Sequence, residues 1–385
     1  MEAYFDNSAT TKPSDEVVKA MLEALTIYYG NPSSLHRKGV AVEKLIKTSR
    51  KQLAKALGVK DEEIIFTSGG TESNNAAILG TVAAKKRKGN KIITTRIEHP
   101  SVLNVFKSLE AKEYEVVYLD VNREGKIDLN QLEQELDAQT ILLSIMHVNN
   151  EVGTLQPIGE VRKMLERSNS KAIFHVDAVQ SFGKLRFNPA KLGIDLLSIS
   201  GHKVHGPKGI GALYVKKDLQ LTPIAYGGGQ EIGIRPGTEN VPGILGLGAA
   251  ASTIEEKIEV HISKMDTLRN RLKEGILSEI QDVIINGSIN NESAPHILNV
   301  SFFGIRGEVL LHMLEQDNIY VSTGSACSSK KSSQSHVLKA MGLTDQEIEG
   351  AVRFSFSYEN TIEEVDYGLS RLKKHVQELR KIMKR

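Results

Sequence analysis

Lys203 closes an apolar run (Ile194, Leu196, Leu197, Ile199) within Ser198-Ile-Ser-Gly-His-Lys203, and the glycine-rich stretch Val204-His-Gly-Pro-Lys-Gly-Ile-Gly211 follows it. An amine held at the end of a buried run, with hydroxyls and an imidazole beside it, is partly dehydrated and suited to forming a Schiff base with a carbonyl. A lone loop lysine is more often an ordinary surface charge; the neighbours here argue against that. Cys327, the only cysteine, is a second candidate nucleophile, in Ser322-Thr-Gly-Ser-Ala-Cys-Ser-Ser-Lys-Lys331. One cysteine excludes an intramolecular disulfide and a multi-cysteine metal site within the chain, and no metal site is expected. Hydroxyls, glycine and two lysines make that segment too polar for core and favour an accessible thiol of lowered pKa.

The ends of other apolar runs carry further candidates. Thr67-Ser-Gly-Gly-Thr-Glu72 follows Phe66 and opens a helical stretch, so the backbone at Gly70 and Thr71 offers N–H groups to an anion. A plain capping turn is the alternative reading. The absence of a P-loop lysine and of G-x-G-x-x-G argues for a phosphate monoester rather than a nucleotide. His99 follows Thr95, the amides of Asn149 and Asn150 follow Ile145, and Asp177 follows Val176. A carboxylate at the end of a buried run needs a cation or several donors. Ser200 and His202 add a hydroxyl and an imidazole beside Lys203. A ring contact, a carboxylate, an anion cradle and an amine together match the needs of pyridoxal phosphate.

The elements that must hold these groups are legible from pattern. Glu63–Thr67, Lys91–Thr95, Val116–Leu119, Ile141–Ile145 and Ala172–Val176 read as buried strands, alternating with helical segments such as Glu72–Lys86 and Ile158–Arg167. That alternation predicts an α/β fold, a mostly parallel central sheet flanked by helices, with ligands at the carboxyl ends of its strands. A long helix over Val241–Ser278 leads to a smaller α+β domain: strand His296–Ser301, helix Gly307–Glu315, the Cys327 loop, strand Val352–Phe356 and a final helix. The expected division is a large cofactor-binding domain over 14–255 and a small domain made of 1–13 and 256–385. A chain of 385 residues is long enough for two cores.

With 49 Lys and Arg against 47 Asp and Glu, composition gives no reason to expect nucleic acid or an anionic membrane as partner. Lys373, Lys374, Arg380, Lys381, Lys384 and Arg385 cluster on the last helix, where Val365, Leu369, Leu372, Val376 and Leu379 keep helical spacing, so a solvated basic face is expected. No apolar run reaches membrane-spanning length and Met1–Asp6 carries no secretory pattern, so a cytoplasmic protein is expected.

The motif order identifies a relationship. Phe5-Asp-Asn-Ser-Ala-Thr-Thr11, Gly30-Asn-Pro-Ser-Ser-Leu-His36, Thr67–Asn74, Val148-Asn-Asn-Glu151, His175-Val-Asp177, Gly201–Gly211 and Arg235-Pro-Gly-Thr-Glu-Asn240 resemble, over essentially the whole chain, the cysteine desulfurases. These are class V aminotransferase-like enzymes of pyridoxal-phosphate fold type I, and the Cys327 segment is similar to the group whose cysteine sits on a long loop. The resemblance implies that Lys203 binds the cofactor aldehyde and moves the substrate Cα proton. It implies that Asp177 pairs with the ring nitrogen, His99 stacks on the ring and Gln180 meets the ring oxygen. Gly70, Thr71, Ser200 and His202 would hold the phosphate, joined by Thr238 of a neighbouring subunit in a homodimer. Asn150 and Arg353 would bind the substrate carboxylate. Pro236 stands where many relatives have a small hydroxyl residue.

The implied reaction converts L-cysteine to L-alanine, leaving a persulfide on Cys327 for a protein acceptor: an iron–sulfur scaffold, a tRNA-thiolation enzyme or thiamine synthesis. Selenocysteine lysis, or another aminotransferase or lyase reaction on the same fold, is the alternative enzyme reading. Transamination has no use for the Cys327 thiol. A catalytically silent scaffold is disfavoured because every chemical residue is present.

Overall fold

The computed structural model describes residues 1–288, 292–324 and 334–383; Cys327 lies outside the described residues. Twelve strands occur among them: β1 Ala3–Tyr4, β2 Ile64–Thr67, β3 Lys91–Thr95, β4 Glu115–Leu119, β5 Thr140–Met146, β6 Ile173–Asp177, β7 Leu196–Ser200, β8 Gly211–Val215, β9 Val283–Asn286, β10 Ile297–Phe302, β11 Ile319–Tyr320 and β12 Ala351–Ser355. Seven form one sheet in the order β2-β8-β7-β6-β5-β3-β4. Strands β3 to β7 pair in parallel, and β8 is antiparallel to both neighbours, so β2 again runs with the majority. The carboxyl ends of β2, β3, β5, β6 and β7 therefore share one edge.

These strands read as unbroken apolar runs because both sheet faces are covered. A period of two still operates inside each run. Ile65, Ile92, Leu142 and Leu196 pack into one core, while Phe66, Ile93, Leu143 and Leu197 pack into another. Lys91 opens β3 and would be out of place in a buried strand, but Glu115, Glu135 and Asp137 surround its amine at 2.8–3.4 Å.

The second unit is an antiparallel sheet, β12-β10-β9. The helix Val241–Glu279 joins the two units: Ile244, Leu247, Ala251 and Ile254 belong to the large core, and Leu268, Leu272 and Ile276 to the small one. The final helix, Ile362–Met383, adds Val365, Leu372 and Val376 to the small core. On its basic face Lys374 and Lys381 are exposed as expected, and Arg380 is the departure. Arg380 donates to the main-chain oxygens of Phe303, Gln281 and Asp282 at 2.8–3.0 Å and so anchors the helix. No helix among the described residues is long and apolar enough to cross a membrane.

The amino-terminal strand belongs to the small unit, since β1 pairs in parallel with β11. The chain then passes along the large sheet's carboxyl edge, where Asn7 donates to the Ser355 main-chain oxygen at 3.1 Å. This path delivers Ser8 and Ala9 to the site.

Leu272 is 1% exposed in the small core and Leu277, one turn and a half later, is 54% exposed. Leu272→Ala is expected to lower stability by about 2–5 kcal/mol and Leu277→Ala by less than about 0.5 kcal/mol, read by denaturant unfolding.

Candidate active site

A cavity of about 210 Å³ opens at the carboxyl edge of the large sheet, lined by groups from both units. Asp177 is the last residue of β6, and the apolar strand behind it carries the carboxylate into a 5% exposed position. Its oxygens accept from Asn74 Nδ2 at 2.8 Å and from the Val179 backbone N–H at 2.9 Å. Asn74 also donates to Ser101 Oγ at 2.9 Å, and its own buried Oδ1 has no partner among the described residues.

Lys203 ends a short turn, Gly201–Lys203, directly after β7. Its amine donates to the main-chain oxygens of Ser8 at 2.6 Å and Ala9 at 2.8 Å. The backbone of the amino-terminal segment thus holds the amine at the cavity wall. His202 beside it contacts Thr10 Oγ1 at 3.2 Å; burial, then the neighbouring Lys203, pushes its pKa down to about 4.

The helix Gly70–Lys85 points its amino terminus at the cavity, and Gly69 caps it without a side-chain hydrogen bond. Gly70 is needed for close approach: a Cβ there would lie 2.7 Å from Val179 Cγ2 and 3.5 Å from Ser200 Cβ. Thr71, Ser200 and His202 line the same end. This is a cradle for an anionic group.

His99 caps the helix Pro100–Glu110. Its Nδ1 accepts from the Ser101 backbone N–H at 3.1 Å and lies 2.8 Å from Ser101 Oγ. The accepting Nδ1 leaves the ring proton on Nε2. Burial lowers the pKa more than nearby Asp177 raises it, so the ring is neutral.

Arg353 reaches the cavity from β12 and is 1% exposed. One terminal nitrogen donates to the Asn150 main-chain oxygen and the other to Asp6 Oδ1, both at 2.8 Å, while Nε has no partner among the described residues. Gln180 donates to the Ser8 main-chain oxygen at 3.0 Å.

The fold therefore gathers His99, Gly70, Thr71, Asn150, Asp177, Gln180, Ser200, His202, Lys203 and Arg353 around one cavity. Thr238 is exposed on the Pro236–Asn240 segment and does not line it. Sequence reasoning missed Asn74, Ser101, Ser8 and Asp6. Asn74 left a signal, because asparagine is a poor helix-interior residue unless its side chain has a use. Ser8 left none, since it acts through its backbone oxygen. The donor set fits pyridoxal phosphate: an amine, a buried carboxylate, a neutral imidazole and a glycine cradle converge on one space.

Residues 3–367 match the family described as aminotransferase class-V. The chain is 47% identical over 377 residues to a cysteine desulfurase of Trichormus azollae, covering 98% of this chain and 93% of that protein. It is 43% identical over 381 residues to the cysteine desulfurase IscS of Dictyoglomus turgidum, with 99% and 96% covered. A solved NifS-like protein superposes with a TM-score of 0.92 at 40% identity, over 98% of this chain and 100% of that one. SspA, solved in complex with cysteine, gives 0.81 at 35% identity, over 93% and 100%.

Glu98, beside His99, is fully buried; burial pushes its carboxyl from 4.5 up to about 8, against the lowering effect of the Met146 N–H at 2.9 Å. The folded protein then keeps a proton that the unfolded chain releases, so this contribution to stability is lost as pH rises from 4.5 to 8. Buried His147 and His175, pushed by burial down to about 4 and 3, act in the opposite sense: stability is lost as pH falls below 6.5. Above pH 6.5 the Glu98 effect stands without theirs. Glu98→Gln is expected to flatten the stability profile between pH 6.5 and 8 by up to ~1.4 kcal/mol per pH unit, measured by urea unfolding at each pH.

Proposed function

We propose, for a chain that belongs to the class-V aminotransferase family and is a pyridoxal-phosphate-dependent cysteine desulfurase, that Lys203 moves the Cα proton of L-cysteine and Cys327 receives its sulfur. The observation that carries this reading is the convergence of Lys203, Asp177, His99 and Arg353 on one cavity with a glycine cradle at its end.

Bound in this cavity, pyridoxal phosphate supplies an electron sink for the pair left when a bond at Cα breaks. Asp177, held by Asn74 and Val179, would pair with the ring nitrogen, and the neutral His99 ring would stack on the ring. The Gly70 and Thr71 backbone, Ser200 and His202 would hold the phosphate, and Gln180 would meet the ring oxygen. Arg353, which lines the cavity beside Asn150, would take the substrate carboxylate. Lys203, fixed by the Ser8 and Ala9 carbonyls, removes the Cα proton as the neutral amine and returns a proton afterwards.

The Cys327 thiolate then attacks the substrate sulfur. An S–S bond forms, the C–S bond breaks with its electron pair staying on carbon, and that carbon takes a proton to leave as L-alanine. The persulfide passes to a protein acceptor, such as an iron–sulfur scaffold or a tRNA-thiolation enzyme. A cytoplasmic location suits a reaction that needs a free thiol.

The protein works as a homodimer in this reading. Val18, Leu22 and Leu25 lie along one face of the helix Asp15–Thr26 and are 52–62% exposed. Leu35 at 97%, Tyr226 at 86% and Ile232 at 71% are exposed as well. Such apolar surface calls for a partner, and a second copy would also bring Thr238 to the phosphate cradle.

Mass spectrometry of the Cys327 peptide, after anaerobic incubation with L-cysteine, is expected to show a gain of one sulfur atom. Cys327→Ala should abolish sulfur transfer while keeping the visible absorption of bound cofactor. An unmodified Cys327 in a coloured, alanine-forming protein would overturn its role. Lys203→Ala is expected to lower alanine formation by at least about 10²–10⁴-fold, read by single-turnover assay.

A further inference from the structure

Lys184 follows Gln180 by four residues on the helical turn after β6 and is 4% exposed. Its amine donates to Gln180 Oε1 at 3.2 Å. A buried ammonium normally has a carboxylate partner, but no ion pair to Lys184 is found among the described residues, and the charged groups that face it are Lys203 and Arg353. Burial first, and those two cations next, hold its pKa well below the usual lysine range. A lysine placed at such cost is a poor space filler.

Elementary hydrogen-bond chemistry fixes what this amine does. With or without its third proton the amine has N–H groups to give, and the Gln180 atom 3.2 Å from it is the carbonyl oxygen. The Ser8 main-chain oxygen only accepts, so the Gln180 atom 3.0 Å from it is Nε2. His296, 0% exposed, places its Nε2 3.3 Å from the same Gln180 oxygen and must donate there. Its Nδ1 is then the unprotonated nitrogen, and that buried atom has no partner among the described residues. With Oε1 turned toward Lys184 and His296, and one N–H given to Ser8, the other N–H is left for the cavity that Gln180 lines. Neither Lys184 nor His296 lines the cavity itself.

We propose that Lys184, seconded by His296, is a positioning residue: acting through Gln180, it presents a fixed N–H donor to the cavity and selects a ligand bearing an acceptor oxygen there. Without it only His296 and the Ser8 carbonyl hold the amide, and its N–H is aimed less firmly at that oxygen. Two N–H donors on Oε1 also polarise the amide and strengthen its N–H as a donor. The proposal rests on the reading that Gln180 meets the ring oxygen of pyridoxal phosphate.

The test uses the full-length protein stripped of cofactor and titrated with pyridoxal phosphate and with its 3-deoxy analogue, which lacks only the ring oxygen. Lys184→Met is expected to weaken pyridoxal phosphate about tenfold and leave the analogue's affinity unchanged. Equal weakening of both ligands, the mark of a merely structural role, overturns the proposal, and so does no weakening of either. Should Lys184→Met fail to fold, His296→Phe removes the other donor to the same oxygen and is read with the same two ligands and the same criterion. Gln180→Leu separates the two readings. It is expected to erase the preference for the ring oxygen. If it instead weakens both ligands alike, the contact between Gln180 and that oxygen is wrong, and the role of Lys184 falls with it.

Discussion

The carboxylate of Asp177 is the group on which the site depends, because it is buried at the end of a central strand and cannot be left without donors. Its two partners come from different places: Val179 from the turn that follows β6, and Asn74 from the helix that follows β2. Satisfying Asp177 therefore fixes the angle at which that helix meets the sheet. The same helix carries the Gly70 cradle at its amino terminus, so this hydrogen bond, with the packing of Ala77, Ile78 and Val82 on the sheet, sets the spacing between carboxylate and cradle. Asn74 extends the network to Ser101, which in turn contacts His99. Asp177, Asn74, Ser101 and His99 are thus parts of a single hydrogen-bonded unit.

The amino-terminal segment gives the site its second constraint. It starts as a strand of the small unit and ends with two carbonyls on Lys203. On the way, Asp6 holds Arg353 and Asn7 is held by Ser355 and Asn360. The amine from the large sheet and the guanidinium from the small one are therefore positioned by neighbouring residues of one short stretch. Any displacement of the small unit would carry Arg353 and the carbonyls of Ser8 and Ala9 together. Gln180 and His296 make a further crossing between the two units at the same place.

Much of this was legible beforehand because it depends on local pattern. The strands β3, β5 and β6 coincide with expected runs to within a residue or so at each end, since a strand covered on both faces must be apolar throughout. The groups at their carboxyl ends, His99 and Asp177, stand out because polar residues there interrupt such runs. What could not be read were contacts made by backbone or by distant partners. Ser8 acts through a carbonyl that every residue type has. Asp6 meets Arg353 across 347 positions, and His296 meets Gln180 across 116. Lys184 gave no signal either: four residues after Gln180 it reads as a surface lysine, and only folding shows it buried. The basic character of the last helix was visible, but the capture of Arg380 by three carbonyls depends on the docking of that helix on the small sheet.

The sequence by itself determined the order of strands and helices and the residue types available at one sheet edge, because apolar periodicity and interruptions to it are local properties of the chain. The resemblance carried by its motifs supplied the chemistry those types perform. Tertiary structure alone decided which of them share a cavity, which tautomer His99 and His296 adopt, and which way the Gln180 amide faces. Those outcomes follow from hydrogen bonds between residues far apart in the chain, whose partners exist only once the two units have packed together.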